Sequence, residues 1–132
     1  MALQSSVAAR NAEADSWTTS VGNGAKVRLY SGTPPADVAA AITGTLLVEW
    51  TGGTPFAPAA SGGALSPTLP TAVAASAAGT ATHWRVYRSD GTTAVFQGTA
   101  GTSGTDMILD SATIASGVPT YITAWTMTPG GA

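Results

Sequence analysis

The spacing of apolar and polar positions changes character near residue 24. Val7, Ala14, Trp17 and Val21, with Asn11 between them, recur at intervals of three and four and share one face, while Arg10, Glu13 and Ser20 point elsewhere. That spacing predicts a single helix over residues 5–21. Ser5 or Ser6 can accept a free backbone N–H at its start, and Gly22 or Gly24 can take the left-handed conformation just past its end. The apolar stripe is thin and mostly small, and short helices are marginal alone, so this one needs a partner surface.

From Ala25 onward the period is two. Lys26-Val27-Arg28-Leu29-Tyr30 alternates strictly until Ser31-Gly32-Thr33-Pro34-Pro35, whose prolines cannot donate to a ladder. Leu46, Val48 and Trp50 share one side of the next run, which stops at Gly52-Gly53. Residues 36–43 between these runs admit a helical turn, and residues 72–78 are helix-permissive but short. Residues 52–79 are otherwise Pro, Gly, Ala, Ser and Thr with isolated large apolar residues. Two short strands, residues 56–60 and 64–69 around Gly62-Gly63, are expected there, because a structureless stretch of that length is unusual in a small domain. Beyond it, residues 80–88 and 93–97 flank Ser89-Asp90-Gly91-Thr92, a hairpin signal in which Asp90-Gly91 suits a type I′ turn. Residues 106–110, 113–115 and 120–128 read as three more strands rich in Thr and β-branched side chains. About eight short strands with regular turn signals predict a mainly β fold, an antiparallel β-sandwich or barrel-like sheet with one N-terminal α-helix. Residues 1–24 are then an N-terminal arm and helix, and residues 25–132 a single β-sandwich domain.

Composition narrows the function. A chain of 132 residues is expected to form one compact unit. Its hydrophobic share of 44% includes 26 alanines, so much of it is small side chains with little area to bury. Having no cysteine, it can form neither disulfides nor thiolate zinc sites. Five Lys and Arg against seven Asp and Glu leave no basic stripe for a phosphate backbone, so no nucleic-acid partner is expected. No membrane partner is expected either. The first residues carry no basic flank ahead of an apolar run, and the longest apolar stretch, residues 38–50, is interrupted and falls short of the ~20 residues needed to span a bilayer. Only 9% of residues are charged, which suits a component of an assembly that presents closely packing Thr, Ser, Ala and Gly.

Candidate chemistry is sparse, and no enzymatic activity or cofactor is expected. His83 is the one histidine and lies mid-strand, where a satisfied or solvent-facing side chain explains it better than a general base. Asp90 is explained by its turn, and Asp106 and Asp110 bracket a strand without the oxygen-ligand spacing of a calcium loop, so no metal is expected. The glycines from Gly98 to Gly104 have no following helix or lysine and read as a flexible inter-strand loop rather than a phosphate loop. Trp50, Trp84 and Trp125 fall in phase with apolar neighbours and read as core, whereas Trp17 is a contact candidate; a sugar-binding aromatic platform is the sharper alternative.

Several segments carry a resemblance. Arg10-Asn11, the stretch from Trp17 to Gly22, and Ala25-Lys26-Val27-Arg28-Leu29-Tyr30-Ser31-Gly32-Thr33-Pro34-Pro35-Ala36 are followed by Gly79-Thr80-Ala81-Thr82-His83-Trp84-Arg85-Val86-Tyr87-Arg88-Ser89-Asp90-Gly91-Thr92 and Gly101-Thr102-Ser103-Gly104. In this order they resemble a family of small tailed-bacteriophage virion structural proteins of the capsid decoration, or cement, type. The likeness runs from residue 10 to about residue 128 and departs from the pattern at Ala12 to Ser16, where a larger apolar helix residue is expected. It implies a protein made in the host cytoplasm and placed on the capsid surface of the virion, binding the major capsid protein and forming homo-oligomers there. The alternative is a tail or head-fibre component acting as a receptor- or glycan-binding module. For capsid decoration the expected contacts are Val7, Arg10, Ala14, Trp17 and Val21 on the helix, with Ser31, Pro34 and Pro35 on the proline-fixed turn, since both surfaces cost little to order. A chain lacking residues 1–22 is then expected to keep its fold.

Overall fold

The structure is a computed structural model and describes residues 4–128. Helix α1 spans Val7–Val21, as the spacing predicts. Ser6 is its cap, its Oγ accepting from the Ala9 N–H at 3.1 Å, and Gly22 ends it with φ of 76° and an N–H donated to the Thr18 carbonyl. Only Ala14 and Val21 of the helix are fully buried. The small side chain at Ala14, where a larger one was expected, lets the helix sit close to what it covers. Polar side chains supply what the thin stripe lacks: Asn11 Oδ1 accepts from the Gly63 N–H at 2.9 Å and Asp15 Oδ1 from the Ala60 N–H at 2.7 Å.

Among the described residues nine strands follow: β1 Lys26–Ser31, β2 Leu46–Thr51, β3 Val73–Ala74, β4 Gly79–Tyr87, β5 Ala94–Gly101, β6 Met107–Leu109, β7 Thr113–Ile114, β8 Pro119–Thr120 and β9 Ile122–Trp125. The fold is mainly β, with 37% of the described residues in strands and 12% in helix. One curled sheet has the order β2-β1-β4-β5-β6-β9, with β7 pairing the start of β4, and β3 and β8 form a separate two-stranded ribbon. Every pairing among the described residues is antiparallel except that of β5 with β6. The two strands run parallel because residues 102–106 loop back beside the end of β5 before β6 resumes the same direction. That loop is not free: Thr99 N donates to Asp106 Oδ2 at 3.1 Å, and Asp106 N donates to Thr99 Oγ1 at 3.3 Å. The glycine-rich stretch expected as a flexible loop is therefore strand as far as Gly101 and pinned beyond it.

Other local expectations change. Residues 56–60 and 64–69 form no strands; they contribute the isolated bridges Ser61 to Ala64 and Leu65 to Met127, and Phe56, Ala57 and Leu65 plug the core. Alanine and proline leave too few large side chains there for a strand pair to bury. The hairpin between β4 and β5 forms, but not with a type I′ turn, because Gly91 alone has positive φ in it. Asp90 stabilises a different turn, its carboxylate accepting from the N–H groups of Thr92 and Thr93 and from Thr93 Oγ1. Residues 72–78 hold β3 rather than a helix, and residues 36–43 hold a single turn around Asp37.

Strand alternation gives the sheet two chemically distinct faces. Val27, Leu29, Val48, Trp50, Trp84, Val86 and Phe96 meet in register on one of them. This face packs on α1 and on the plug residues, and Ala14 and Val21 belong to the same buried cluster, so helix and sheet share one core. Trp125 joins Phe56 to Trp84, edge-on to both at 5.5 and 5.0 Å between centroids. The alternate positions, Arg28 opposite Arg85 and Glu49, Tyr30 opposite His83, and Arg85 opposite Gln97, form the other face.

Candidate functional site

The polar face is roofed by residues 32–44, which leave β1 and return to β2. Three side chains pin this loop from beneath. Arg85 Nη1 donates to the Ala40 carbonyl at 2.8 Å, and its Nη2 donates to the Asp37 carbonyl at 3.2 Å and to Gln97 Oε1 at 2.7 Å. Gln97 Nε2 then donates to the Pro35 carbonyl at 3.0 Å, and Thr82 Oγ1 donates to the Gly32 carbonyl at 2.6 Å. Within the loop, Asp37 Oδ1 accepts from the N–H groups of Ala39 and Ala40. Gly44 is required where the loop closes: a Cβ there would stand 1.7 Å from the Ser31 carbonyl oxygen. A segment that composition marks as irregular is thus held in one conformation.

Beside the loop, Tyr30 stacks on His83 with centroids 5.4 Å apart, and the Tyr30 and Tyr87 hydroxyls lie 3.3 Å from each other. Arg28 sits over the Tyr87 ring and pairs with Glu49 at 2.6 Å. Burial pushes the Tyr30 phenol above its ordinary value, helped by the Tyr87 hydroxyl. Burial, then the positive charge of Arg85, pushes His83 down, so its imidazole is held in the neutral form. His83 is 1% exposed and its Nδ1 is engaged with Thr82 Oγ1. Its Nε2 is buried with no hydrogen-bond partner among the described residues, so it is a packed strand histidine that is neither fully satisfied nor solvent-facing.

A second feature lies at the junction of α1 with the apolar face. Trp17, Trp84, Phe96 and Asp106 line a cleft of about 170 Å³, with Trp17 and Phe96 tilted at 58° and 5.1 Å apart. Trp84 is oriented by its Nε1, which donates to the Thr99 carbonyl, and Thr99 in turn holds Asp106.

The expected contact residues fall on both faces. On the helix, Ala14 and Val21 are inside the protein's own core, Trp17 is half-buried against Phe96, and Arg10 lies along Gly63 and donates to the Ser5 carbonyl. Val7 is 48% exposed. On the loop, Pro34 is exposed, Pro35 half-buried, and Ser31 Oγ accepts from the Thr45 N–H at 3.3 Å. Helix and loop lie on opposite faces of the sheet, so they form two surfaces rather than one. The residues that shape the loop surface, Thr82, Arg85 and Gln97, are not marked by the sequence pattern: Arg85 and Gln97 meet only through the register of β4 with β5, and Thr82, of opposite parity to Arg85, reaches the loop where the register of β1 with β4 shifts. Among the described residues no three His, Asp or Glu side chains converge as a metal site, and no helix is long and apolar enough to cross a membrane. Comparison with protein-family models, with curated proteins and with solved structures finds no match.

Proposed function

We propose that this chain is a non-enzymatic virion protein, a bacteriophage capsid decoration protein that binds the outer surface of the assembled head. The observation that carries this reading is the loop of residues 32–44, which exposes Thr33 and Pro34 while Arg85, Gln97 and Thr82 fix its backbone from below. A surface already ordered before contact loses little entropy on binding. The weakly charged surface and the resemblance over residues 10–128 support the same reading, with the major capsid protein as partner and further copies of the chain alongside. Its mechanism is mass action: a ligand that binds only assembled shells stabilises them against disassembly. Two contact surfaces on opposite faces of one sheet suit a role in bridging neighbouring subunits.

Co-sedimentation with mature shells stripped of accessory proteins tests this. Full-length protein should pellet with shells and resist added salt, because few charges take part. The T33E/P34E variant, altered at exposed positions that make none of the pinning bonds, should pellet at least tenfold less. Absence of co-sedimentation by the full-length protein rejects the proposal. One feature favours a second reading, a glycan-binding module on a tail or head fibre: the cleft of Trp17, Trp84, Phe96 and Asp106, which pairs aromatic faces with a carboxylate. Densitometry of purified virions separates the two, hundreds of copies per particle supporting decoration and a few tens or fewer supporting a fibre.

A further inference from the structure

Arg85 is 4% exposed, yet no carboxylate among the described residues pairs with it. The acids near it are committed elsewhere: Glu49 to Arg28, and the Asp37 carboxylate to the loop N–H groups of Ala39 and Ala40. Arg28, directly opposite in register, is a second cation. Three neutral oxygens solvate the Arg85 guanidinium, but they leave its charge uncancelled, and buried charges in proteins are ordinarily paired. Its Nε–H, moreover, has no acceptor.

This arginine lines a cavity of about 460 Å³ between residues 38–42 and the polar face of β4. The size is that of a site for a small organic molecule. Tyr30 and Tyr87 also line it, and two hydroxyls bonded to each other use one O–H between them, leaving the other free to donate. Burial and the Tyr87 neighbour keep the Tyr30 phenol protonated, so it is a donor over the whole physiological range. The rest of the lining is Val38, residues 39–41, Ile42, Thr92 and Ala94, whose side chains are apolar except that of Thr92. A tyrosine hydroxyl hydrogen left free to donate, an uncancelled positive charge and several apolar side chains therefore line one space.

We propose that this cavity is a carboxylate-binding site that takes a small organic acid with an apolar body. The carboxylate would accept from a tyrosine hydroxyl beside the Arg85 guanidinium, cancelling the buried charge, while the body packs on Val38 and Ile42. The site is independent of shell attachment and is tested on the isolated, full-length protein.

The test follows the arginine Nε–H cross-peaks of nitrogen-15-labelled protein during titration at constant chloride, with the Arg85 signal identified by its loss in R85K. Benzoate should move that signal saturably in the millimolar range expected of a fragment-sized ligand. Benzamide, which has the same ring without the charge, should not. A41W, which fills the cavity from an exposed loop position, should abolish the benzoate response while leaving the melting temperature near that of the parent. N-acetylglutamate amide, which carries the carboxylate as a protein side chain would, should bind more weakly than benzoate. No saturable shift, an equal response to benzamide or a response that survives A41W would overturn the proposal. Binding of the glutamate derivative in place of benzoate would also overturn it, assigning the site to an acidic side chain of a partner.

Discussion

Substituting Gly98 by alanine tests whether the apolar face is packed as rigidly as its geometry implies. A Cβ at Gly98 would lie 2.5 Å from Trp84 Cζ2 and 2.6 Å from Asp106 Oδ2. Comfortable carbon contacts begin near 3.5 Å, so the indole would have to move by about 1 Å. Trp84 has little room to do so, being 2% exposed, edge-on to Trp125 and tied through Nε1 to the Thr99 carbonyl. Asp106 is held by Thr99 in the same way. Overpacking of this kind costs about 1–3 kcal/mol. For a chain of this size each kcal/mol lowers the melting temperature by about 4 °C, which gives a fall of about 4–12 °C. Tryptophan fluorescence during thermal and urea unfolding measures it. Gly104 is the control: it has φ of 68° with nothing within 4 Å of a Cβ, so G104A reports backbone strain alone, about 1 kcal/mol. W84F removes the indole ring that would clash, and G98A should cost at least about 1 kcal/mol less in that background than in the parent. A G98A variant no less stable than G104A, or equally destabilised with and without Trp84, would refute the packing argument.

Three further outcomes are expected. A chain lacking residues 1–22 should lose more than about 3 kcal/mol in urea unfolding, because Ala14 and Val21 are core residues and Trp17 covers Phe96; an unchanged midpoint would mean that the helix is dispensable, as its stripe alone suggests. Asp90 is held well below its ordinary 3.8 by the Thr93 hydroxyl and then by the Thr93 and Thr92 N–H groups. A depressed folded value stabilises above the unfolded one and is lost as pH falls through it, so the melting-temperature gap between parent and D90N should be flat above about pH 5 and shrink below about pH 4; a gap constant down to about pH 2.5 would contradict this. R85M should speed hydrogen exchange of the amides of residues 36–40 while leaving those of β2 unchanged, and equal protection in parent and variant would show that Arg85 does not hold the loop.

What was legible in the sequence follows the size of the side chains. Strand β1, residues 48–51 of β2 and residues 83–87 of β4 pair in continuous register, and there parity assigns each side chain to its face; a register shift at Leu29/Tyr30 puts Leu46 opposite Tyr30 rather than on the side of Val48 and Trp50. Residues 52–79 have no such contrast. Their placement depends on distant partners, Leu65 on Met127 and Ala75 on Val118, which no local pattern records. The turn at Asp90 was misjudged for a related reason: Asp-Gly admits a type I′ turn, but the two threonines after it offer the carboxylate three donors, and side-chain bonding decided the geometry. The helix stripe is as thin as its sequence implies, with Ala14 and Val21 alone fully buried. Its docking by Asn11 and Asp15 onto loop amides was invisible, because those amides belong to a segment without pattern.

The loop surface was hidden for a different reason, since its determinants sit on the far side of a strand read as core. Trp84 and Val86 draw attention to one face of β4, while Arg85, one position away, does its work on the other. A buried arginine is a costly way to hold a loop, because an apolar residue there would avoid the desolvation of a charge. What the guanidinium supplies is direction: three hydrogen bonds at fixed angles to Asp37, Ala40 and Gln97 admit one loop conformation, where an apolar contact would admit several. Global stability and loop order should therefore separate in R85M, the first changing little or rising while the second falls. An arginine kept at the expense of stability implies that the shape of residues 32–44 matters to what the protein does, which is why the proposed attachment is placed on that loop.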